Sequence, residues 1–365
     1  ENIMSRETLL KHVAELVQTK LKPLVEDIDR KGLYPEDFLR NLGAIGGFAS
    51  VGSAEEGGTG YGLATQIAVL REVAKECGAT SFSAWCQAAC AWYLHRSPNP
   101  EVKEKYLAEI LQGSILAGTG MSNTVKHLAG IEKHNLQAVR ADGGYIVNGI
   151  LPWVSNIGEE HIWANTAQTD GGYVMFITGG EWDGVSLQNC PEFCALEGTR
   201  TYGLTFEDVF IEDEDVIAAP EQFAAYIQSI KAGFILLQIG IGAGVIDGSL
   251  EVIREADAAH AEANRYLDDD YDSLKTRLDG AWAETERLAD LAWNNRPDNL
   301  ATLKLRAAAS ELALAASQSA ALHAGAKGYL MHSPAQRRLR EAMFVAIVTP
   351  ALKHLRKEIA AWEGN

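Results

Sequence analysis

Two pairs of cysteines have spacings that invite a zinc-site interpretation. Cys86 and Cys90 lie four positions apart, as do Cys190 and Cys194. This spacing is wider than the C-x-x-C of the usual zinc knuckle, and small buried thiols account for both pairs. We therefore predict no metal site. With Cys77 the count is odd, which argues against a secreted disulfide scaffold.

A glycine-rich segment, Gly240-Ile241-Gly242-Ala243-Gly244, invites a dinucleotide-binding interpretation. That fingerprint needs its third glycine one position later, a βαβ setting and an acidic residue downstream. Position 245 is valine, and the surrounding segments have helical periodicity. Because Gly240 and Gly244 are four positions apart, we predict that they let a second helix approach closely.

Other local patterns do not identify an activity by themselves. Asp268-Asp269-Asp270 could bind a cation, but it lacks the ligand order of a calcium loop, so we predict a helix cap there. The sequence contains no His-Glu-x-x-His, Gly-x-Ser-x-Gly or Gly-Lys-Ser/Thr motif. Arg337-Arg338-Leu339-Arg340 fits either a helix turn or a group of cleft-lining arginines that bind a phosphorylated cofactor.

The composition excludes several classes of function. The chain has 365 residues and a formal net charge of −17. That charge repels nucleic-acid backbones and anionic lipid surfaces, so we predict neither as a partner. The longest apolar stretch, 232–246, is shorter than a spanning helix needs and contains Gln238. The first four residues show no signal-peptide pattern, so we expect a cytoplasmic protein without a membrane span.

Hydrophobic periodicity divides the chain into three parts and predicts an α+β fold. Residues 1–114 are helical, with a long helical region over 63–94 that breaks at Gly78. Residues 115–218 contain short strands around turn residues, which predicts an antiparallel β domain. Residues 219–365 are helical again and are typical of a four-helix bundle. The four predicted helices of this bundle cover 224–256, 271–294, 300–326 and 336–362.

Six strings resemble, in the same order, patterns of the acyl-CoA dehydrogenase superfamily of flavoproteins. The clearest is Asn148-Gly149 with Trp153-Val154-Ser155-Asn156, which is similar to the family's "n-G-x-K-x-W-I-[ST]-N" segment. The others lie at 43–60, 71–77, 116–123, 202–209 and 328–342. The resemblance covers nearly the whole chain. It implies an N-terminal helical domain, a central β domain and a C-terminal four-helix bundle.

The same resemblance implies FAD, or FMN in its place, between the β domain and the bundle of a homotetramer or homodimer. Carried over residue by residue, Ser122 bonds the flavin ring from the first strand, Trp153 packs beside it, and Ser155 bonds near its reactive nitrogen. A hydroxyl can donate or accept without adding charge, and an indole supplies a flat apolar wall. The alternative is that Trp153 is a β-domain core residue and Ser155 a turn hydroxyl.

This sequence departs from the family at three functional positions. Dehydrogenation of an acyl thioester needs a base for the α-proton. Thr349 stands where many members have a catalytic Glu, and the alternative Glu position falls on Phe234. Neither side chain serves as a base unaided. Arg265 is the substitute for the arginine that reaches the cofactor's pyrophosphate, although the aspartates that follow it repel such a group.

Three functions therefore stay open. The first is a flavin-dependent oxidoreductase acting on an acyl thioester such as an acyl-CoA, with a flavin reductase or electron-transfer flavoprotein as its redox partner. The second is a reduced-flavin-dependent monooxygenase, for which Ser155 and His354 are candidate hydrogen-bond donors. The third is a catalytically silent subunit, which Thr349, Phe234 and the altered pyrophosphate segment favour.

Overall fold

The N-terminal helices follow the predicted order. The computed structural model describes residues 4–364. The predicted break at Gly78 is confirmed, because one helix ends at Ala74 and the next begins at Gly78. The helices are α1 (Arg6–Leu16), α2 (Val25–Lys31), α3 (Glu36–Ala44), α4 (Leu63–Ala74), α5 (Gly78–Arg96) and α6 (Pro100–Gln112). Helix α5 is buried from Gly78 to Leu94, so it forms the centre of this region.

The central region is a mixed sheet, so the prediction of a purely antiparallel domain is wrong in this detail. Its strands are β1 (Ala117–Thr119), β2 (Leu136–Ala141), β3 (Gly144–Val154), β4 (Ile162–Thr169), β5 (Gly172–Gly179), β6 (Val185–Asn189), β7 (Tyr202–Glu212) and β8 (Val216–Ala218). The order is β6-β7-β3-β2-β4-β5-β8, with β1 also beside β4. Strands β1 and β2 run parallel to β4. Turn residues identify hairpins between consecutive strands, whereas these parallel pairs join strands that are not consecutive.

The last predicted helix, over 336–362, is two helices in the structure. Pro350 lies between them, and proline has no N–H to donate and clashes with the carbonyl four residues earlier. The resulting connection, residues 348–351, carries Thr349. The C-terminal helices are α8 (Pro220–Asn264), α9 (Tyr271–Trp293), α10 (Asn299–Ala324), α11 (Pro334–Ile347) and α12 (Leu352–Trp362).

Helix α8 extends well beyond its apolar central stretch, 232–246, in both directions. At 45 residues, it is the one helix within residues 4–364 that is long and apolar enough to cross a membrane, yet 89% of its most apolar window is buried in the fold. A methyl group on Gly240 would lie 2.6 Å from the carbonyl oxygen of Ile67 on α4. One on Gly244 would lie 2.5 Å from that of Arg71. The predicted close helix packing at these glycines is confirmed.

The core has two parts. One cluster of buried apolar residues joins the N-terminal and C-terminal helices, and α8 packs against α4, α5 and α10 within it. A second cluster lies within the sheet, around Trp163, Phe176 and Phe206. Asp270 accepts the N–H of Ser273 at 2.8 Å and caps α9, as predicted. The sheet and the shared helical core meet at the site described next.

Candidate functional site

The first cavity, of about 280 Å³, lies where the sheet meets α5, α8 and α11. Short helix α7 (Ser122–Leu128), which follows β1, contributes its first residue to the wall. Four of the five residues that the resemblance assigned to the site line this cavity: Ser122, Trp153, Ser155 and Thr349. Phe234, at the alternative Glu position, lines it too. The fold thus brings together residues of the β region, 115–218, and of the C-terminal helical region, 219–365.

Paired hydroxyl groups occupy one side of the first cavity. The Ser122 Oγ and Thr349 Oγ1 atoms are 2.6 Å apart, and either atom can donate. Ser122 begins α7 instead of lying on the first strand, because β1 already ends at Thr119. In this position Ser122 lies next to the connection between α11 and α12. The pair adds polar groups to the cavity without adding charge.

A second hydroxyl group pair involves residues that the sequence analysis missed. The Ser155 Oγ and Thr201 Oγ1 atoms are 2.7 Å apart, and Thr199 Oγ1 lies 2.8 Å from Thr201 Oγ1. All three residues line the first cavity. No local sequence pattern signals them, because residues 197–199 form a 3-10 turn and Arg200 has a left-handed φ of 44°.

The remaining walls are mostly aromatic. Trp153 is 61% exposed, so it is not the core residue of the alternative interpretation. Its ring packs edge-on against Phe193, with 5.6 Å between ring centroids. Across the cavity, Phe82 packs edge-on against Phe344 at 4.7 Å. A flat apolar ligand can pack against walls of this kind.

A buried hydrogen-bond network holds the segment that carries Thr349. The Gln238 side-chain amide donates to the Thr349 carbonyl at 2.8 Å. Arg306 donates from Nε to Gln238 Oε1 at 3.0 Å and from Nη2 to the Val345 carbonyl at 2.7 Å. Arg306 is 1% exposed, and burial lowers its pKa to about 10. These contacts fix both the last turn of α11 and the connection beyond it.

The arginine run at the start of α11 mainly supports the fold. Arg337 and Arg338 contact Glu341, whose carboxylate also accepts the Gly78 N–H at 2.6 Å. Arg340 lines the first cavity, but Asp29 accepts from it at 2.6 and 2.9 Å. The run is therefore part of a helix, as predicted, and Arg340 also lines the cavity. Glu341 stabilises the packing of α5 against α11.

Arg265 does not join the other predicted site residues. It follows α8, its side chain is 61% exposed, and its guanidinium lies 4.9 Å from the Tyr266 ring centroid. Its Nη2 is 3.7 Å from a Glu262 carboxylate oxygen. It is not among the residues that line the first cavity. Its assignment to a cofactor stays a prediction of the resemblance.

A second cavity, of about 160 Å³, adjoins the first across Phe234, which lines both. Its lining includes Lys231 of α8 and His354 and Glu358 of α12. The His354 Nε2 atom lies 3.2 Å from Glu358 Oε1, and the Lys231 ammonium 3.3 Å from Glu358 Oε2. The i,i+4 spacing of the His and Glu is visible in the sequence, but their place beside a cavity is not.

Comparison with known proteins agrees with this architecture. Residues 5–114 match the family model described as the acyl-CoA dehydrogenase N-terminal domain. The chain is 27% identical over 242 residues to the mitochondrial 2-methylacyl-CoA dehydrogenase of Solanum tuberosum, which covers 64% of this chain and 58% of that protein. It is 23% identical to the short-chain specific acyl-CoA dehydrogenase of Clostridium acetobutylicum, over 94% of this chain and 93% of that one.

Solved structures show the same fold along the full chain. Butyryl-CoA dehydrogenase from Megasphaera elsdenii superposes with a TM-score of 0.90 at 18% identity, covering 100% of both chains. A glutaryl-CoA dehydrogenase from Mycobacterium smegmatis, in complex with FADH2, superposes with a TM-score of 0.85 at 16% identity, covering 100% of this chain and 96% of that one. Residues 5–114 therefore match an acyl-CoA dehydrogenase N-terminal domain, and the whole chain has the fold of the acyl-CoA dehydrogenases.

Proposed function

We propose that this protein is a flavin-dependent oxidoreductase that oxidises an acyl thioester or a related carbonyl substrate, with FAD in the first cavity. The observation that carries the proposal is the convergence of Ser122, Trp153, Ser155 and Thr349 on one cavity. Relatives along the full chain are named as acyl-CoA dehydrogenases, which supports the reaction class.

The lining of the first cavity fits the isoalloxazine part of FAD. That ring is flat and apolar on its faces, and its edge carries carbonyl and nitrogen groups. Trp153 offers an exposed aromatic face, and Ser122, Ser155 and Thr201 offer neutral hydroxyls at the wall. Because each hydroxyl can donate or accept, the set matches both kinds of polar group on the ring edge. FMN has the same ring and is the alternative cofactor.

The pyrophosphate of FAD needs positive charge beyond this ring site. Lys126 lines the first cavity, and its ammonium lies 3.7 Å from a Glu132 carboxylate oxygen. Arg340 lies in the same wall but is held by Asp29. The resemblance assigns the pyrophosphate to Arg265. If R265A retains FAD as well as the wild type does, Arg265 is not part of the cofactor site.

Bound FAD would accept a hydride from the substrate. The chain itself must place the substrate, exclude water and accept the α-proton. Thr349 cannot accept that proton unaided. Its hydroxyl is far less acidic than a carboxyl group, so it keeps its own proton at neutral pH, and it is already paired with Ser122. Phe234 has no basic atom. Phe82, Phe344 and Phe234 give the space between these positions apolar walls.

Reduction of the bound flavin by substrate tests this proposal. Oxygen-free protein loaded with FAD is mixed with butyryl-CoA and isovaleryl-CoA in turn, and the visible flavin absorption is followed. We expect one or both thioesters to bleach it. Protein that binds FAD but is bleached by neither thioester would contradict the proposed dehydrogenation.

The absence of a carboxylate at both Thr349 and Phe234 favours a second candidate, a reduced-flavin-dependent monooxygenase on the same fold. Such an enzyme needs no base for an α-proton. The discriminating measurement is oxygen consumption that depends on supplied reduced flavin and on an organic substrate. Substrate-driven bleaching without oxygen supports the dehydrogenase instead.

A further inference from the structure

The second cavity contains a buried imidazole with one free nitrogen. His354 is 3% exposed and lines the cavity. Its Nε2 atom contacts Glu358, whereas its Nδ1 atom has no hydrogen-bond partner among residues 4–364. A buried polar atom without a partner costs free energy, so a protein that keeps one often uses it. The cavity that His354 lines is next to the proposed flavin site, because Phe234 lines both cavities.

The contacts of Glu358 determine which nitrogen of His354 carries the proton. Burial raises the pKa of Glu358, but the hydrogen bond with His354 and the charge of Lys231 outweigh it, so this pKa lies below its ordinary value. Glu358 is therefore an ionised acceptor at neutral pH. An ionised carboxylate only accepts hydrogen bonds, so in the neutral form of the ring Nε2 carries the proton and Nδ1 keeps its lone pair. Lys231 anchors the carboxylate from α8.

The second cavity adjoins the first along a shared wall. Pro350, in its wall, directly follows Thr349 in the wall of the first cavity. Tyr93 lines the second cavity, and its hydroxyl lies 2.9 Å from Thr119 Oγ1, which lines the first. The wall between the cavities thus holds both positions at which the expected carboxylate is missing. His354 lies on the far side of this wall, so a substrate must extend past Phe234 to reach it.

We propose that His354 is the catalytic base, with Glu358 as its positioning residue, and that the substrate is a carbon acid activated by a thioester carbonyl. This inference rests on the proposed function. The α C–H bond breaks, an N–H bond forms at Nδ1, and the electron pair stays on the α-carbon, delocalised onto the carbonyl oxygen. The Glu358 carboxylate stabilises the resulting imidazolium charge. The Nδ1 atom is buried in the structure, so the proposal requires that the contact form when substrate enters the second cavity.

Exchange of the α-protons with solvent deuterium tests this step without any electron transfer. Full-length protein, as purified, is incubated in D2O with butyryl-CoA or isovaleryl-CoA, and deuterium in the recovered thioester is measured by mass spectrometry. We expect exchange with the wild type and a loss of about 100-fold in H354Q. Glutamine keeps an N–H for Glu358 but has no basic nitrogen. The matched control is H323Q, since His323 is also 3% exposed but lines neither cavity.

The positioning role of Glu358 is tested by a measurement that a purely structural role would not change. We expect E358Q to lower the exchange rate at saturating thioester about tenfold and to leave the half-saturating concentration unchanged. A variant with both values altered, or with neither, would contradict the positioning role.

The outcomes separate this inference from the proposed function. Exchange that is lost in H354Q but not in H323Q, without bleaching of the wild-type flavin, supports His354 as a base and contradicts the dehydrogenase. Exchange by H354Q at the wild-type rate, or the absence of exchange with both thioesters, overturns His354 as the base. Bleaching that survives in H354Q also overturns it and leaves the proposed function standing.

Discussion

Gln238 links the single buried arginine of α10 to the segment that carries Thr349, so its replacement tests how the site is held. Leucine has a similar size and no polar atoms. In Q238L, the Arg306 Nε atom and the Thr349 carbonyl lose their contacts of 3.0 and 2.8 Å. Both groups stay buried, because Arg306 is 1% and Thr349 8% exposed.

The magnitude follows from these two contacts. A neutral hydrogen bond contributes about 1 kcal/mol and one to a charged group about 2 kcal/mol, so Q238L loses about 3 kcal/mol of unfolding free energy. Gln66 provides the matched control. It is equally buried and donates to the Gly47 carbonyl at 2.8 Å, but its Oε1 atom has no partner among the described residues. Q66L loses one neutral bond and relieves one unpaired acceptor, so it costs about 1 kcal/mol or less.

Thermal unfolding and FAD retention together decide this prediction. For a chain of this length, we expect the midpoint to fall by about 4 °C in Q238L and about 1 °C in Q66L. FAD retention should fall in Q238L, because Thr349 no longer holds its place beside Ser122, and should not change in Q66L. Equal midpoints for the two variants, or full FAD retention in Q238L, would refute the role assigned to this network.

Two further predictions concern stability. A methyl group at Gly233 would lie 2.4 Å from the buried Trp92 ring, whereas one at Gly280 meets open space; we expect G233A to lose about 2 kcal/mol and G280A to gain about 0.5 kcal/mol, measured by chemical denaturation. Burial raises the pKa of Glu56, but the contacts with His95 and Lys103 outweigh it and hold this pKa below its ordinary 4.5. Its contribution to stability is therefore present above pH 4.5 and is lost as the pH falls through the lower folded value. The melting temperature of E56Q should therefore fall less than that of the wild type as the pH is lowered. Equal pH dependence in the two proteins would contradict the contribution assigned to Glu56.

The sequence predicted those features that local patterns specify. Helical periodicity located α4, α5 and α6, and the glycine spacing in α8 identified the contact with α4. The motif order then placed Trp153 and Ser155 beside Ser122 and Thr349 across more than two hundred residues of chain. Local periodicity does not give such contacts, so this part depended on the resemblance.

Other features depend on tertiary contacts that no local pattern encodes. The parallel pairing of β1 and β2 with β4 has no turn signal. The break at Pro350 could have been read from proline chemistry, but the apolar periodicity on both sides concealed it. The i,i+4 spacing of His354 and Glu358 is visible in the sequence, whereas their place beside the second cavity is not. For Arg265 the motif position predicted a site residue, but its side chain is not among those that line the first cavity.

Retention of FAD after desalting tests the central claim most directly. Wild-type protein is mixed with FAD, desalted and examined by visible absorption, beside W153A and W362A. Trp153 and Trp362 are 61% and 58% exposed, but only Trp153 lines the first cavity. We expect the wild type and W362A to retain flavin and W153A to bind it about tenfold more weakly. Wild-type protein that retains no flavin, or equal retention in the two tryptophan variants, would contradict a flavin site in this cavity.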